Sequence, residues 1–302
     1  MATTSGRVGE SGVLLLAGPT AAGKSTLALA LAARYDAEIV GADSRQIYRG
    51  MEIGTAAASA AERARIPHHL VGFLDPRERY SAAQFVADAL AAIAAIRARG
   101  RRVLVVGGTG FYLRALAGDV ALSPARDPAL RARLAREARL HPPEILHAWL
   151  ASRAPERARE LAPGDRYRVA RALEIALAPA SPAEAAPSLR SRGISFAKTY
   201  LECASEELDR RIEARVARQL AAGFAEEAER IGPQAVAADA VGYPLAFAYL
   251  AGALDRADFA RLLVRATRRY AKRQRTWFAK EPGLVRLPAE RFEGFVRERL
   301  GW

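Results

Sequence analysis

The sequence predicts an α/β fold, in which a doubly wound parallel sheet forms the core and a helical segment is inserted into it. Three continuous apolar runs, at residues 13–18, 37–43 and 101–108, have the composition of strands that are buried on both faces. A helix is indicated between the second and third runs, because Ser81 and Gln84 have the spacing of a capping box. Strands that alternate with helices are typical of parallel sheets.

The predicted insertion begins at about Leu122, where strand-like runs give way to helical spacing interrupted by prolines. The Pro- and Ala-rich segment 178–188 is predicted to be a hinge, and residues 194–202 to form one more strand. The sheet is therefore expected to resume after the insertion. The predicted divisions are a first part of the core at 1–121, with 1–11 disordered, a helical insertion at 122–189, and the continuation of the core at 190–302.

The composition narrows the classes of function. The chain has 302 residues, about half of them apolar, and Cys203 is its only cysteine, which excludes an internal disulfide and a thiolate zinc cluster. No apolar run is long enough to span a bilayer and the first residues have no hydrophobic signal core, so we expect a cytoplasmic protein. The net charge of +13 is compatible with a nucleic-acid partner, and equally with an Arg-rich composition alone.

Residues 18–25, GPTAAGKS, match the pattern G-x-x-x-x-G-K-[ST] and lie between a predicted strand and a predicted helix, as a P-loop requires. The glycines allow backbone N–H groups to form an anion nest, Lys24 adds a positive charge, and Ser25 can hold Mg²⁺ between phosphate oxygens. The predicted core is thus P-loop NTPase-like, with Mg²⁺ as its cofactor. The residues expected to bind phosphate are Gly18, Pro19, Thr20, Ala21, Ala22, Gly23, Lys24 and Ser25.

Asp43 ends the second predicted strand, and the carboxyl ends of parallel strands border the ligand crevice. Its carboxylate can take a proton from a nucleophile, bind a metal or cap the next helix. Ser44, Arg45 and Gln46 follow it, and three consecutive hydrogen-bonding side chains suit the recognition of a base or a sugar.

The third strand ends in Gly107, Gly108, Thr109 and Gly110, a corner where a backbone can approach a ligand closely. Alternatively, these glycines allow the next helix to pack tightly. The corner lacks the carboxylate that nucleotide hydrolases usually carry there, which argues against an ordinary ATPase.

The predicted helix at 258–280 carries eight Lys or Arg residues and a single Asp. Helical spacing places five of these cations on one face, opposite an apolar face, and acidic residues that would neutralise them are lacking on this helix. This cationic face suits a nucleic-acid backbone, although it is also compatible with a solvated surface. We call it the basic ridge, and its members are Arg261, Arg265, Arg268, Lys272 and Arg275. The histidines at 68, 69, 141 and 147 have no companions at ligand spacing and are interpreted as structural.

Together these segments resemble the tRNA dimethylallyltransferase family. The segments that carry the resemblance are GPTAAGKST, DSRQIYRGMEIGTA, IPHHLVGFLDPRERYSAAQF, VVGGTGFYLRAL, RVARALE, RRIEARVARQLAAGF, VGYPLAFAYLAG and ATRRYAKRQRTWF. The resemblance implies transfer of a dimethylallyl group from its diphosphate to N6 of the adenosine 3′ to the anticodon, in tRNAs that read codons beginning with U. In this chemistry a C–O bond breaks, so the P-loop would hold the diphosphate that leaves. The resemblance also leads us to expect a monomeric enzyme.

The same resemblance implies the roles of individual residues. Asp43 would be the general base, and Thr20 and Arg215 would contact the diphosphate as further members of the catalytic set. The insertion would close over the anticodon loop. The residues implied to bind tRNA are Asp43, Ser44, Arg45, Gln46, Thr109, Arg131, Tyr167, Arg168, Val169, Ala170 and Arg171, to which the basic ridge adds Arg268 and Lys272.

Two other functions remain open at this level. A P-loop kinase would use ATP in the loop and Asp43 as the base for a small or nucleic-acid acceptor. An RNA-binding module would use the P-loop only as a regulatory switch and would catalyse no transfer.

Overall fold

The computed structural model of the protein describes residues 12–120, 122, 127–178 and 187–302. In this part of the chain six strands form one parallel sheet in the order β3-β2-β4-β1-β5-β6. The strands are β1 (Val13–Ala17), β2 (Ala37–Gly41), β3 (His68–His69), β4 (Arg102–Val106), β5 (Phe196–Leu201) and β6 (Val285–Leu287). The predicted disordered start and most of the predicted hinge lie outside the described residues.

β1 lies at the centre of the core and pairs with β4 on one side and β5 on the other. Leu15 is opposite Val105 in β4 and Lys198 in β5, so the strand after the insertion completes the same sheet. The prediction that the sheet resumes is confirmed. β3 and β6 were not predicted, because strands of two and three residues are too short to show a period.

The predicted helices after the P-loop and between β2 and β4 are present as α1 (Lys24–Tyr35) and α4 (Ala82–Ala98), whereas the short helices α2 (Glu52–Thr55) and α3 (Ala60–Arg65) were not predicted. Ser81 caps α4 through a capping box with Gln84, as predicted, and Phe85, Ile93 and Ile96 are fully buried. The next helix along the chain is α5 (Gly110–Ala117).

Both faces of the sheet are buried. Leu14, Leu16 and Leu104 form one apolar cluster with Ala28 and Leu31 of α1. The intervening strand residues point to the opposite face because side chains alternate along a strand, and they are fully buried too. The predicted doubly wound α/β core is therefore confirmed.

The chain divides into two compact units, Met1–Val120 with Pro187–Trp302, and Ala121–Ala186. The second unit is helical and has a small core of its own, in which Leu146, Leu150 and Val169 are buried. Three of its helices begin with proline, which suits a first helical position because its missing N–H would have no partner there. Its helices are α6 (Pro128–Leu140), α7 (Pro143–Arg153), α8 (Pro155–Arg159) and α9 (Arg166–Leu177).

The larger unit ends in five further helices. The long basic helix is α13 (Arg256–Ala279), and its buried side includes Phe259, Leu263 and Phe278. None of the helices in the described ranges is both long and apolar enough to cross a membrane. The five helices are α10 (Ser205–Ala221), α11 (Phe224–Ile231), α12 (Tyr243–Leu250), α13 (Arg256–Ala279) and α14 (Phe292–Leu300).

An ion-pair cluster ties together the points where the chain leaves and re-enters the larger unit. Asp119 accepts hydrogen bonds from Arg190 at 2.7 Å and from Lys198 at 2.8 Å. Lys198 also donates to Glu281 at 2.8 Å. Burial opposes ionisation of Asp119, but the two cations outweigh it and lower its pKa. Both ends of the inserted segment are therefore anchored at one place.

Candidate functional site

The segment between β1 and α1 has the curled backbone of an anion-binding loop. Ala21 and Gly23 adopt left-handed conformations, with φ of 65° and 97°, and α1 begins directly afterwards at Lys24. A helix N-terminus presents backbone N–H groups and the positive end of the helix dipole, so this end of α1 favours a negatively charged ligand.

Lys24 lies folded against the loop. Its ammonium group donates hydrogen bonds to the carbonyl oxygens of Gly18 at 3.0 Å and Pro19 at 2.9 Å. Burial lowers the pKa of Lys24 to about 8, with Asp43 acting in the opposite sense and Arg215 in the same sense. An anion placed beside Lys24 would favour its charged form, which makes the loop suited to phosphate.

Two arginines of α10 reach the loop from the side. The Arg215 guanidinium donates to the Thr20 hydroxyl at 3.0 Å and to the Thr55 carbonyl at 2.9 Å. Burial lowers its pKa. Arg211, one helical turn earlier, donates to the Ala22 carbonyl at 2.8 Å. The structure thus brings together Thr20 and Arg215, which were predicted, and adds Arg211, whose i, i+4 spacing from Arg215 was the only signal in the sequence.

Asp43 is half-buried and follows the carboxyl end of β2. Its carboxylate accepts the N–H of Arg45 at 3.0 Å, so it closes a local turn. It does not cap a helix, since the next one begins at Glu52. The charge of Asp43 acts on Lys24 and Arg215, which places all three groups within electrostatic reach of one another.

The glycine corner after β4 is required for close packing. A Cβ atom at Gly107 would lie 2.0 Å from the carbonyl oxygen of Ala42, and one at Gly110 would lie 2.0 Å from Nε1 of Trp277. Gly110, the first residue of α5, fits the alternative that the next helix packs tightly, whereas Gly107 is needed for a close approach to the backbone of Ala42. Thr109, between them, uses its hydroxyl to accept the Ser44 N–H at 3.0 Å.

The side chains after Asp43 are held by the protein itself. The Gln46 amide donates to the carbonyl oxygens of Thr55 and Ala56 at 3.1 and 3.2 Å, and Arg45 forms an ion pair with Asp239 at 2.9 Å. The donor side of Gln46 is thus occupied. The predicted contact with a nucleotide would have to use its oxygen.

Carboxylates of α10 and of α13 itself neutralise part of the basic ridge, so the expectation that acidic partners are lacking on this helix is wrong for Arg261. Arg268 forms ion pairs with Asp209 at 2.9 Å and Glu213 at 2.6 Å, both on α10. Arg261 pairs with Asp258, the single Asp of its own helix, at 2.6 Å. The α10 partners could not be predicted from sequence, because they lie more than 50 positions away along the chain. Lys272 is exposed and borders a cavity of about 700 Å³ between α10 and α13.

In the smaller unit, the predicted tRNA-contact residues differ in accessibility. Tyr167 is 64% exposed and Arg168 is exposed beside it on α9, whereas Arg131 and Ala170 are half-buried. The side chain of Val169 is fully buried among the apolar residues of this unit, so the predicted contact with tRNA would have to use its backbone. Arg171 forms an ion pair with Glu174 at 2.8 Å.

Metal ligands are few in the part of the chain that the structure describes. No group of three His, Cys, Asp or Glu side chains there could hold a metal ion. His69 contacts Glu38 at 2.6 Å, and His147 contacts the carbonyl oxygen of Leu161 at 2.9 Å, in keeping with structural roles. Ser25 is exposed in the first turn of α1, beside Lys24.

Comparison with known proteins gives consistent results. The family model described as IPP transferase matches residues 46–281. A tRNA dimethylallyltransferase of Anaeromyxobacter dehalogenans (strain 2CP-C) is 46% identical over 279 residues, which are 90% of this chain and 93% of that protein. One from Halorhodospira halophila (strain DSM 244 / SL1) is 46% identical over 288 residues, covering 92% of this chain and 93% of its own.

Solved structures of tRNA-prenylating enzymes are also similar to this chain. The crystal structure of the full-length tRNA isopentenylpyrophosphate transferase from Bacillus halodurans has a TM-score of 0.69 and 30% identity, covering 96% of this chain and 97% of that one. A eukaryotic dimethylallyltransferase acting on tRNA has a TM-score of 0.74, with 95% of this chain and 76% of that one covered. At 24% identity, the second likeness shows the fold alone.

Proposed function

Because the chain belongs to the IPP transferase family of tRNA-prenylating enzymes, we propose that its donor is dimethylallyl diphosphate and its acceptor N6 of the adenosine 3′ to the anticodon. The tRNAs would be those that read codons beginning with U. The observation that carries this proposal is the convergence of the P-loop, Arg215 and Asp43. The electrostatic influence of the Asp43 carboxylate on Lys24 and Arg215 supports this proposal, because transfer from a diphosphate to an amino group needs an anion site and a base close to each other.

The reaction is a substitution at the first carbon of the dimethylallyl group. Adenosine N6 forms a bond to this carbon while the C–O bond to the diphosphate breaks, and the electron pair leaves with the diphosphate oxygen. Asp43 accepts the proton that N6 loses. Lys24, Arg215 and the loop N–H groups stabilise the negative charge that develops on the leaving oxygen. No P–O bond breaks, so no carboxylate is needed to activate water.

The residues at the loop are compatible with Mg²⁺. This ion prefers oxygen ligands and usually combines one or two protein groups with substrate phosphates. The exposed Ser25 hydroxyl, in the first turn of α1, would be its protein ligand. The ion would neutralise part of the charge on the leaving diphosphate.

Each unit, taken by itself, offers exposed groups that suit a contact with tRNA. Tyr167 of the smaller unit offers a ring on which an unstacked loop base can lie. In the larger unit, Lys272 offers an exposed charge for the phosphate backbone. We also propose that the enzyme acts in the cytoplasm and that it is a monomer. Sedimentation of the purified protein can test the monomeric state.

The decisive experiment incubates the protein with unmodified tRNA and either labelled dimethylallyl diphosphate or labelled ATP. Mass spectrometry of the tRNA nucleosides then identifies the product. We expect a dimethylallyl group on the adenosine 3′ to the anticodon and no transfer of phosphate. Incorporation of label from ATP would instead establish the kinase, which the comparisons do not favour, and absence of any turnover would leave an RNA-binding module.

A further inference from the structure

Gln274, on the buried side of α13, connects two loops that are distant in the sequence. Its side-chain oxygen accepts the backbone N–H of Thr20 at 2.7 Å, and its amide nitrogen donates to the carbonyl oxygen of Gly108 at 3.0 Å. Gln274 is only 6% exposed. A buried amide that uses its acceptor and a donor on two separate segments fixes those segments relative to each other.

The space around the contact is tightly restricted. A Cβ atom at Gly108 would lie 2.2 Å from the amide nitrogen of Gln274, so only glycine allows this approach without displacement. On the other side of the contact, the Thr20 N–H donates to Gln274, while the Thr20 hydroxyl accepts a hydrogen bond from Arg215 at 3.0 Å. Gln274 therefore determines how the Thr20 peptide is oriented in the P-loop.

The second of the two loops joined by Gln274, the glycine corner after β4, is connected to the segment that contains Asp43. Gly108 is followed by Thr109, whose hydroxyl accepts the Ser44 N–H, and Ser44 is the neighbour of Asp43. Three hydrogen bonds, joined by the peptide links Gly108–Thr109 and Asp43–Ser44, therefore connect the Thr20 peptide with the residue that carries the carboxylate. The two ends of this connection are the groups assigned to the diphosphate and to the proton of adenosine.

We propose that Gln274 is a positioning residue that sets the distance and orientation between the donor's diphosphate and Asp43. This inference rests on the proposed function. Gln274 would act through the Thr20 N–H and the Gly108 carbonyl, to which its amide is bonded. Group transfer is sensitive to such placement, since a displacement of about 1 Å can reduce the rate about 100-fold. Loss of the link should thus slow the transfer step much more than it weakens binding of either substrate.

The first test replaces Gln274 by methionine, which has a similar length but no hydrogen-bonding amide. The matched control is Thr267→Val, which removes another buried polar group from α13, one whose hydroxyl bonds only to Leu263 of the same helix. The measurements are the single-turnover rate at saturating substrates, the dissociation constants of dimethylallyl diphosphate and tRNA, and the thermal midpoint of unfolding.

We expect Gln274→Met to lower the single-turnover rate about 100-fold, with each dissociation constant changed by less than about fivefold. Thr267→Val should keep the wild-type rate even if its thermal midpoint of unfolding falls as much as that of Gln274→Met. A Gln274→Met rate within about threefold of the wild type would overturn the proposal. So would a similar rate loss in both variants, because that would indicate general destabilisation.

The second test uses Gln274→Glu and pH. A protonated carboxyl can accept from Thr20 and donate to Gly108, as the amide does, whereas a carboxylate can only accept. The transfer rate of this variant, divided by that of the wild type at the same pH, should therefore rise as pH falls from 8 to 6. A ratio that does not change with pH would contradict the proposed role of the Gly108 hydrogen bond in the transfer step. A wild-type protein that transfers no dimethylallyl group would refute the proposed function instead.

Discussion

The hydroxyl of Thr109 accepts the backbone N–H of Ser44 at 3.0 Å, while the N–H of Thr109 donates to the carbonyl oxygen of Ala42 at 3.3 Å. One residue at the end of β4 thus holds the chain on both sides of Asp43. The sheet brings this about, because β2 and β4 are neighbours and their carboxyl ends meet at the same edge.

The variant Thr109→Val should test this relationship. Valine keeps the shape of the side chain but cannot accept the Ser44 N–H, so Asp43 becomes less well fixed. A neutral hydrogen bond contributes about 1 kcal/mol, which corresponds to roughly a fivefold to tenfold loss of kcat. Steady-state kinetics would show it, and Thr109→Ser should restore most of the rate. An unchanged kcat in Thr109→Val would mean that this bond does not position Asp43.

Replacement of Asp43 by alanine should abolish most of the turnover while tRNA still binds, because general-base catalysis typically contributes about 10² to 10⁴-fold. Asp43→Asn is the matched variant, since its amide oxygen can still accept the Arg45 N–H and preserve the turn. We expect both variants to be slow in single-turnover assays. Near wild-type activity of Asp43→Asn would show that Asp43 acts only through the turn.

Replacement of Lys24 by alanine should weaken binding of the allylic diphosphate more than binding of tRNA. The charge of Lys24 lies at the P-loop, where the diphosphate is assigned, and not on the proposed RNA surface. Equilibrium binding of each substrate, with circular dichroism to monitor folding, would measure the difference. Equal losses for both substrates would point to unfolding of the variant.

The basic ridge can be tested by the salt dependence of tRNA binding. Each phosphate contact releases counterions, and its loss should lower the slope of log affinity against log salt by about 0.7 to 0.9. We expect this change for Lys272→Gln and a smaller one for Arg268→Gln, because Arg268 is already paired with Asp209 and Glu213. Wild-type slopes in both variants would identify the ridge as a solvated face.

The stability of the fold should depend on pH through Glu38, whose side chain is 3% exposed. Burial opposes its ionisation, but hydrogen bonds from Arg99 and His69 outweigh burial and lower its pKa. A depressed carboxyl pKa contributes stability that is present above the unfolded value of about 4.3 and is lost as pH falls through the folded value.

The corresponding variant is Glu38→Gln. It should lower the free energy of unfolding at pH 7 by about 2 kcal/mol, because hydrogen bonds to a buried charge are lost. Its stability should also fall less steeply than that of the wild type below pH 4.3. Denaturant unfolding at several pH values measures both effects. Parallel pH profiles would exclude Glu38 as a source of the acid sensitivity.

The sequence predicted those parts of the site that depend on local pattern. The P-loop has a fixed spacing, and Asp43 and Thr109 follow strands whose carboxyl ends meet at one edge of the sheet. Arg211 and Gln274 were not predicted, because their contacts with the loop join residues 189 and 254 positions apart. Periodicity describes the faces of a helix, but it does not say which backbone group a buried amide will meet.

The position of β1 between β4 and β5 has a consequence for synthesis of the chain. β4 is complete at Val106, but β5 does not end until Leu201, after the whole inserted segment has been made. At about 5 to 20 residues per second, the ribosome needs roughly 5 to 20 s to cover this distance. During this interval one edge of the central strand has no partner, and unpaired edges are sites of aggregation. The length of the insertion therefore sets how long the nascent core waits for its second neighbour.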